Sequence, residues 1–319
     1  MLNLDMLLSE VSSVGISGHI RPDGDCIGSC LGMYLFIQKN YPSVETDIYL
    51  EEIPEKYRFL KGSDKIISAG SRDKKYDLFI CLDCGDPGRL GANAVFTDTA
   101  EKTACIDHHI TNNAFAMYNQ IVPEASSTSE LVADLIGTDR IDYDMAQALY
   151  LGMVHDTGVF QYSCTSSHTM ALAGALMDKG IPFSRIVADT FFMKTFAQQK
   201  AFGRAAGKAQ LVMNGSVILS SITMKDRRDC GAAVSDLDGI SAQLRDTEGV
   251  HLSIFIYELA PEDFKVSMRS DDTVDVSVIA SCFGGGGHKK AAGCDVAGTE
   301  SEVFEKLLEQ VKAQTDGES

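Results

Sequence analysis

In the first half of the chain, short continuous apolar runs alternate with segments of helical spacing, the pattern of a parallel α/β sheet. GISGHI (15–20), DIYLEE (47–52), YDLFICLD (76–83) and KTACID (102–107) read as strands. The third is the clearest, an apolar run that ends in an acid. CIGSCLGMYLFIQKN (26–40) reads as an amphipathic helix after the first strand. SSTSELVADLIG (126–137) opens like a capped helix, because Ser127 precedes Glu130 at capping-box spacing. DMAQALYLGMVH (144–155) and SHTMALAGALMDKG (167–180) are further helices, the latter stopped by Gly180 and Pro182.

The pattern then changes. Residues 183–210 form a polar helical stretch that reads as a connector. Beyond it, SVILSSITM (216–224), VHLSIFIYEL (250–259) and DFKVSMRS (263–270) are β-type runs, with helical stretches at 235–246 and 299–314. The expected architecture is α/β: a parallel-sheet domain (1–185), a helical connector (186–210) and a smaller α/β domain with a mixed sheet (211–319). The active site is expected in the cleft between the domains. A chain of 319 residues suits two domains of ordinary size.

Charge narrows the function. There are 45 acidic and 28 basic side chains, a formal net charge of −17. So acidic a chain repels a long polyanion, which argues against an extended duplex-binding surface. A small anionic ligand remains compatible if cations gather in one place. Nine cysteines, an odd number scattered through apolar segments, indicate reduced thiols and a cytoplasmic location. Cys81 and Cys84 form a CxxC, but no second pair follows, and both read as buried strand-end residues. The N-terminal stretch lacks a basic leader pattern, and no apolar run is long enough to cross a bilayer, so no membrane association is expected.

The acids and histidines fall where a parallel sheet would use them. HIRPDGD (19–25) follows the first strand, Asp83 ends the third, and Asp107, His108 and His109 end the fourth. Ligands of such sheets bind outside the carboxyl ends of the strands, so three strands aim these groups at one crevice. Asp23 and Asp25 alternate by two and can face one pocket from an extended loop. Singly, Asp23-Gly24-Asp25 is an ordinary turn, Asp83 an ordinary helix cap, and His155-Asp156 an ordinary helix end. Jointly they make a carboxylate-rich cluster whose self-repulsion a divalent cation would relieve. Oxygen ligands with a few imidazoles favour manganese or magnesium, with cobalt as an alternative, over a thiolate zinc site.

FGGGGHKKAAG (283–293) is the second cluster. Four consecutive glycines are costly to order, and close approach of backbone N–H groups at Gly285, Gly286 and Gly287 to a phosphate would explain them. His288, Lys289 and Lys290 add positive charge, and Arg269, at the end of DFKVSMRS, can join them with its planar fork.

The chain resembles the DHH phosphoesterase family with a C-terminal DHH-associated domain. HIRPDGDCIGS, LDCGD, DHH (107–109) and HDTGVF (155–160) match its four motifs in order, and FGGGGHKKAAG matches the signature of the associated domain. Within the family it is similar to the nanoRNase/pAp-phosphatase branch. That resemblance implies two Mn²⁺ ions: His19, Asp23 and Asp83 on one, and Asp25, Asp83, His108 and Asp156 on the other. It places His109 beside the scissile phosphate and Asp107 behind the histidines as catalytic groups. Arg269, Gly285, Gly286, Gly287 and His288 would bind the rest of the substrate. The implied reaction is hydrolysis of short linear oligonucleotides such as pApA to 5′-mononucleotides, and of the 3′-phosphate of pAp; a homodimer is the candidate assembly. Cyclic dinucleotide hydrolysis, pyrophosphate hydrolysis and a non-catalytic nucleotide sensor are the competing readings. The sensor reading predicts a missing metal ligand, and all six are present.

Overall fold

A computed structural model describes residues 2–68, 70, 74–271 and 273–315. The chain divides into two units, one running to Met193 and the other from Lys194. In the first, β1 (Ser13–Ser17), β2 (Glu45–Tyr49), β3 (Ile66–Ile67), β4 (Leu78–Leu82), β5 (Lys102–Asp107) and β6 (Tyr118–Ile121) form one sheet, ordered β3-β2-β1-β4-β5-β6. Every pairing is parallel. β4 is buried at all five positions, which is why it reads as an unbroken apolar run. The strand order reverses between β1 and β4, and this switch point opens a crevice at the carboxyl ends of those two strands.

The helix Gly24–Asn40 leaves β1 directly, with Asp23 as its N-cap accepting from the N–H groups of Asp25 and Cys26. It packs against the helix Tyr143–Asp156 closely enough that a Cβ on Gly28 would lie 2.4 Å from the Ala148 carbonyl oxygen. Both helices are buried on most sides, so neither shows a sharp amphipathic stripe. Ser127 caps the helix Thr128–Ile136 through Glu130 N–H. The reciprocal half of the expected capping box does not form: Glu130 Oε2 instead accepts from Ser126 Oγ (2.5 Å) and Thr169 Oγ1 (2.7 Å), tying two helices together.

The second unit, from Lys194, begins with the helix Phe196–Lys208. It is preceded by a helical turn at Phe183–Val187 and a π-type turn at Ala188–Phe192. Its sheet has the order β11-β12-β10-β9-β8-β7, built from β7 (Gln210–Val212), β8 (Val217–Ile222), β9 (Leu252–Ala260), β10 (Asp263–Ser270), β11 (Gly286–His288) and β12 (Ala291–Ala297). Only β8–β9 is parallel, so the sheet is mixed. The Gly-rich segment is therefore a tight β11–β12 hairpin. Two of its glycines have a steric reason of their own. A Cβ on Gly285 would lie 2.2 Å from the Gly293 carbonyl oxygen, and one on Gly287, at φ 146°, 2.4 Å from that of Ala291. Gly286 faces open space. All nine cysteines are free, and Cys81 and Cys84 are fully buried.

Candidate active site

Four segments of the first unit bring their polar groups together at the switch point. His19 lies two residues past β1, Asp83 one past β4, and Asp107 closes β5, with His108 and His109 following. Asp156 is the last residue of the helix Tyr143–Asp156. Asp83 leaves its strand at φ 53°, a left-handed conformation that Asp tolerates better than most residues, which turns its carboxylate across the crevice. That carboxylate is 2% exposed. Its Oδ2 lies 3.4 Å from His19 Nε2, and its Oδ1 3.7 Å from His108 Nε2. Asp156 Oδ2 sits 2.9 Å from His108 Nε2, and Asp23 Oδ1 3.7 Å from His19 Nε2. Asp25 belongs to the same cluster as His108 and Asp156.

Each ring and carboxylate is held from behind. His19 Nδ1 meets the Ile20 carbonyl (2.8 Å), and His108 Nδ1 meets that of Ala125 (3.3 Å), which leaves both Nε2 atoms facing inward. Fully buried Asp107 bonds His109 Nδ1 at 2.7 Å and accepts from Asn112 at 2.7 Å. Asp107 thus orients His109, whereas His108 is oriented by a backbone carbonyl. Asp25 accepts from the N–H groups of Thr128 (2.7 Å) and Ser129 (2.9 Å) at a helix N-terminus, and Thr128 Oγ1 donates to Asp83 Oδ1 (3.1 Å). Sequence reasoning missed Thr128 and Ser129. The SSTSELV stretch signals a helix start, but nothing in it says which carboxylate the start will face.

After Asp156 the backbone makes three successive left-handed residues, Gly158, Val159 and Phe160, at φ 55°, 60° and 64°. For non-glycine residues this costs about 1–2 kcal/mol each. Buried Thr157 holds the turn, donating to the Met153 carbonyl (2.6 Å) and accepting from Phe160 N–H (2.9 Å). Strain of this kind persists where surrounding structure over-determines it, commonly beside functional groups. His155 packs under the loop before the helix Gly24–Asn40: a Cβ on Gly24 would lie 2.3 Å from its ring. Its Nε2 meets Thr190 Oγ1 at 3.0 Å.

The electrostatics fit a divalent cation. Burial opposes charge on His19, but Asp23 and Asp83 beside it lift its pKa to about 11. Burial opposes charge on His108 as well, and Asp156, Asp25 and Asp83 lift it to about 10. Burial and the charges of Asp83 and Asp156 push Asp25 well above the usual carboxylate range, and burial, with the charge of Asp83, raises Asp156 against the pull of His108. Asp23, despite burial, is drawn down to about 2 by His19. So many acids facing so few positive groups require protons or cations to balance them. The spacings agree: two ligands about 2.1 Å from one ion, near a right angle, sit about 3 Å apart. The 3.4 and 3.7 Å gaps around Asp83 are long for hydrogen bonds and close to that spacing. Cys26 Sγ also falls near His19 and Asp83, but burial pushes its pKa well up and keeps the thiol neutral.

In the second unit, Arg269 is the penultimate residue of β10, and its guanidinium donates to the Met268 carbonyl at 2.9 Å. Burial pushes Asp238 up while the charge of Arg269 pulls it down. Gly286, Gly287 and His288 form β11 and are exposed.

A carboxylate–histidine crevice at the switch point of a parallel sheet defines a class, that of doubly wound α/β proteins able to hold divalent metal. Residues 13–153 match the DHH family, N-terminal domain, and residues 196–316 match the DHHA1 domain. The chain belongs to the DHH phosphoesterase family and is an enzyme that hydrolyses phosphoester bonds. It is 26% identical over 314 residues to the bifunctional oligoribonuclease and PAP phosphatase NrnA of Thermus thermophilus, covering 97% of this chain and 92% of that one. It is 27% identical to the cyclic-di-AMP phosphodiesterase PdeA of Listeria monocytogenes, covering 99% of this chain but 50% of PdeA. A crystal structure of an exopolyphosphatase-related protein from Bacteroides fragilis superposes with a TM-score of 0.89 at 26% identity, over 98% of this chain and 96% of that one. No helix among the described residues is long and apolar enough to cross a membrane.

Proposed function

We propose that this chain is a Mn²⁺-dependent phosphoesterase of the NrnA type. It would cut short linear oligonucleotides to 5′-mononucleotides and remove the 3′-phosphate of pAp. The observation that carries the reading is the carboxylate of Asp83, which faces His19 with one oxygen and His108 with the other. A single buried carboxylate placed in this way could serve two ions. His19, Asp23 and Asp83 would hold one ion, and Asp25, Asp83, His108 and Asp156 the other. The ions would supply Lewis acidity to the phosphate and lower the pKa of the attacking water.

The chain's own groups supply the rest. With Nδ1 committed to Asp107, His109 presents Nε2 to the scissile phosphate. Asp107 lifts the His109 pKa against burial, which favours the imidazolium that would stabilise charge developing on phosphate oxygens. Thr128 and the helix N-terminus beneath Asp25 fix the carboxylates before substrate arrives. Arg269 and His288, with the exposed backbone at Gly286 and Gly287, would grip the distal part of the nucleotide; the Gly285 N–H, expected from the sequence to join them, is instead donated to the Ala280 carbonyl at 2.9 Å.

The likeness to PdeA along nearly the whole chain makes cyclic di-AMP the second substrate to test. Turnover of pAp, pApA, a 24-mer RNA, cyclic di-AMP and pyrophosphate, side by side with Mn²⁺, tests the reading. Efficient turnover of pApA and pAp is expected, with the 24-mer slow because a chain of net charge −17 offers no basic track for a long strand. Preference for the 24-mer, or for cyclic di-AMP over both small linear substrates, would overturn it.

A further inference from the structure

The first unit contains a cavity of about 420 Å³ that the catalytic reading does not use. That volume falls in the range of small-molecule sites. Lys56, Phe59, Gln147 and Arg185 line it, with Glu55 and Asp189 at its wall. Gln147 is only 8% exposed, yet its carboxamide has no hydrogen-bond partner among the described residues. Its amide atoms are not sealed from solvent, so the cavity is where they can find partners. The amide offers a donor and an acceptor side by side in one plane. That edge matches the adjacent amino group and ring nitrogen of adenine, which Gln pairs with two hydrogen bonds. Phe59, 48% exposed, offers an aromatic face on which a base can stack.

The charges select the rest of the ligand. Arg185 Nε is held by Asp189 at 3.0 Å, which leaves the two terminal nitrogens of its fork without partners among the described residues. Glu55 is engaged by Arg58 at 3.0 Å. The lining therefore sets Lys56 and Arg185 against Glu55 and Asp189, so its charges balance, and Arg58 engages Glu55 from outside it. The terminal nitrogens of Arg185 offer a planar fork for one phosphate.

The cavity also shares a residue with the catalytic side. Lys56 Nζ donates to the Thr190 carbonyl at 2.7 Å, and Thr190 Oγ1 meets His155 Nε2 at 3.0 Å. His155 precedes Asp156 and packs on Gly24, between Asp23 and Asp25. Thr190 and Asp189 lie in the π-type turn Ala188–Phe192, a local geometry that recurs at functional sites.

We propose that this cavity binds an adenine 5′-mononucleotide as an effector, with the base on Gln147 and Phe59 and the phosphate at Arg185. Occupancy is transmitted through Thr190 and His155 to the segments carrying Asp23, Asp25 and Asp156. The binding step stands on the cavity alone. The effector role rests on the proposed function, in which adenine mononucleotides are products.

The test has two arms on the full chain. In the first, 5′-AMP, adenosine and 5′-UMP are titrated calorimetrically into metal-depleted protein. Saturable one-to-one binding of 5′-AMP is expected, weakened tenfold or more in Gln147→Leu and in Phe59→Ala. The exposed change Arg185→Ala, which leaves the core untouched, should weaken 5′-AMP severalfold and adenosine not at all. Equal 5′-AMP affinity in wild type and Gln147→Leu, or 5′-UMP binding as tightly as 5′-AMP, would overturn the site. In the second arm, bis(p-nitrophenyl) phosphate hydrolysis is followed with Mn²⁺ and rising 5′-AMP. Wild type should show a non-competitive component that Gln147→Leu lacks, with unchanged turnover when 5′-AMP is absent. Purely competitive inhibition, identical in both proteins, would mean that 5′-AMP acts only at the metal crevice and would overturn the effector role. Failure of the hydrolysis itself would count against the proposed function while leaving the first arm readable.

Discussion

His109 and His288 carry the same imidazole in opposite settings. His109 follows β5, its Nδ1 locked at 2.7 Å to an aspartate that is fully buried and braced by Asn112. His288 ends the exposed strand β11, where its backbone pairs with Ala291 but its ring has no hydrogen-bond or ion-pair partner among the described residues. The contrast extends to their neighbours. Asp25, Asp83 and Asp107 are buried and held by backbone or side-chain donors, whereas Gly286 and Gly287 lie exposed on the hairpin. Groups that must meet a reacting phosphorus gain from being fixed beforehand, because reorganisation at the moment of reaction costs rate. Groups that grip the remote end of a substrate can settle around it. The first unit is built for the former task, and the proposed role of the second is the latter.

The comparison breaks first at Asp83. Asp83→Ala should cut turnover by at least about 10³-fold, because it removes a charge ligand proposed for both ions. Metal content per chain should fall with it, while circular dichroism stays native. Turnover and bound metal, measured after chelation and Mn²⁺ restoration, check this. Near-normal hydrolysis would refute a shared ligand.

One step out, Asp107→Asn keeps the shape of the group behind His109 but removes its charge. A loss of about 10–100-fold in turnover is expected, as for other partners that orient site histidines. Bound metal should change little, since His108 is oriented by Ala125 and not by Asp107. A variant that instead lost its metal would move Asp107 into the same role as Asp83.

In the second unit, Arg269→Ala or His288→Ala should raise KM and spare metal content. Loss of one charged contact to phosphate costs about 1.5–3 kcal/mol in kcat/KM. If kcat fell alone, with KM constant, these residues would belong with the fixed groups and the contrast between the units would fail.

The sequence showed the two units unequally for the same physical reasons. β1, β4 and β5 are buried, so their apolar runs are legible, and each ends in a polar group that a parallel sheet turns toward its switch point. The donors beneath Asp25 are backbone N–H groups, which no residue identity announces. β6 (YNQI) is half-exposed and polar, and β12 (AAGCDVA) is made of small residues, so neither carries a strong strand pattern. The glycines of β11 suggested a ligand approach, but Gly285 and Gly287 are also required by the hairpin's own backbone. Thr157, and the left-handed turn it holds, lay hidden in what reads as an ordinary helix end.

The smallest predicted effect concerns a look-alike of the site within the first unit. Glu130, Asp134 and His168 also bring carboxylates to an imidazole: His168 Nε2 lies 2.8 Å from Asp134 Oδ2. Here the His168 side chain is 58% exposed. Asp134 raises its pKa, with burial a smaller opposing influence and the charge of Glu130 adding a little. Glu130 is itself occupied by Ser126 and Thr169. A histidine whose folded pKa is raised contributes stability that is fully present below its unfolded value, near 6.5. That contribution is lost as pH rises through the folded value. For an exposed pair the whole amount is about 0.2–1 kcal/mol, reduced further by salt. His168→Gln should therefore lower stability slightly at pH 5.5, leave it unchanged at pH 9, and leave turnover intact at both. Urea unfolding at the two pH values, at low and high salt, measures this. A loss of several kcal/mol, or any loss of turnover, would show that this cluster is braced like the crevice. It would then no longer serve as the counterpart in which the imidazole itself is exposed and held by nothing behind it.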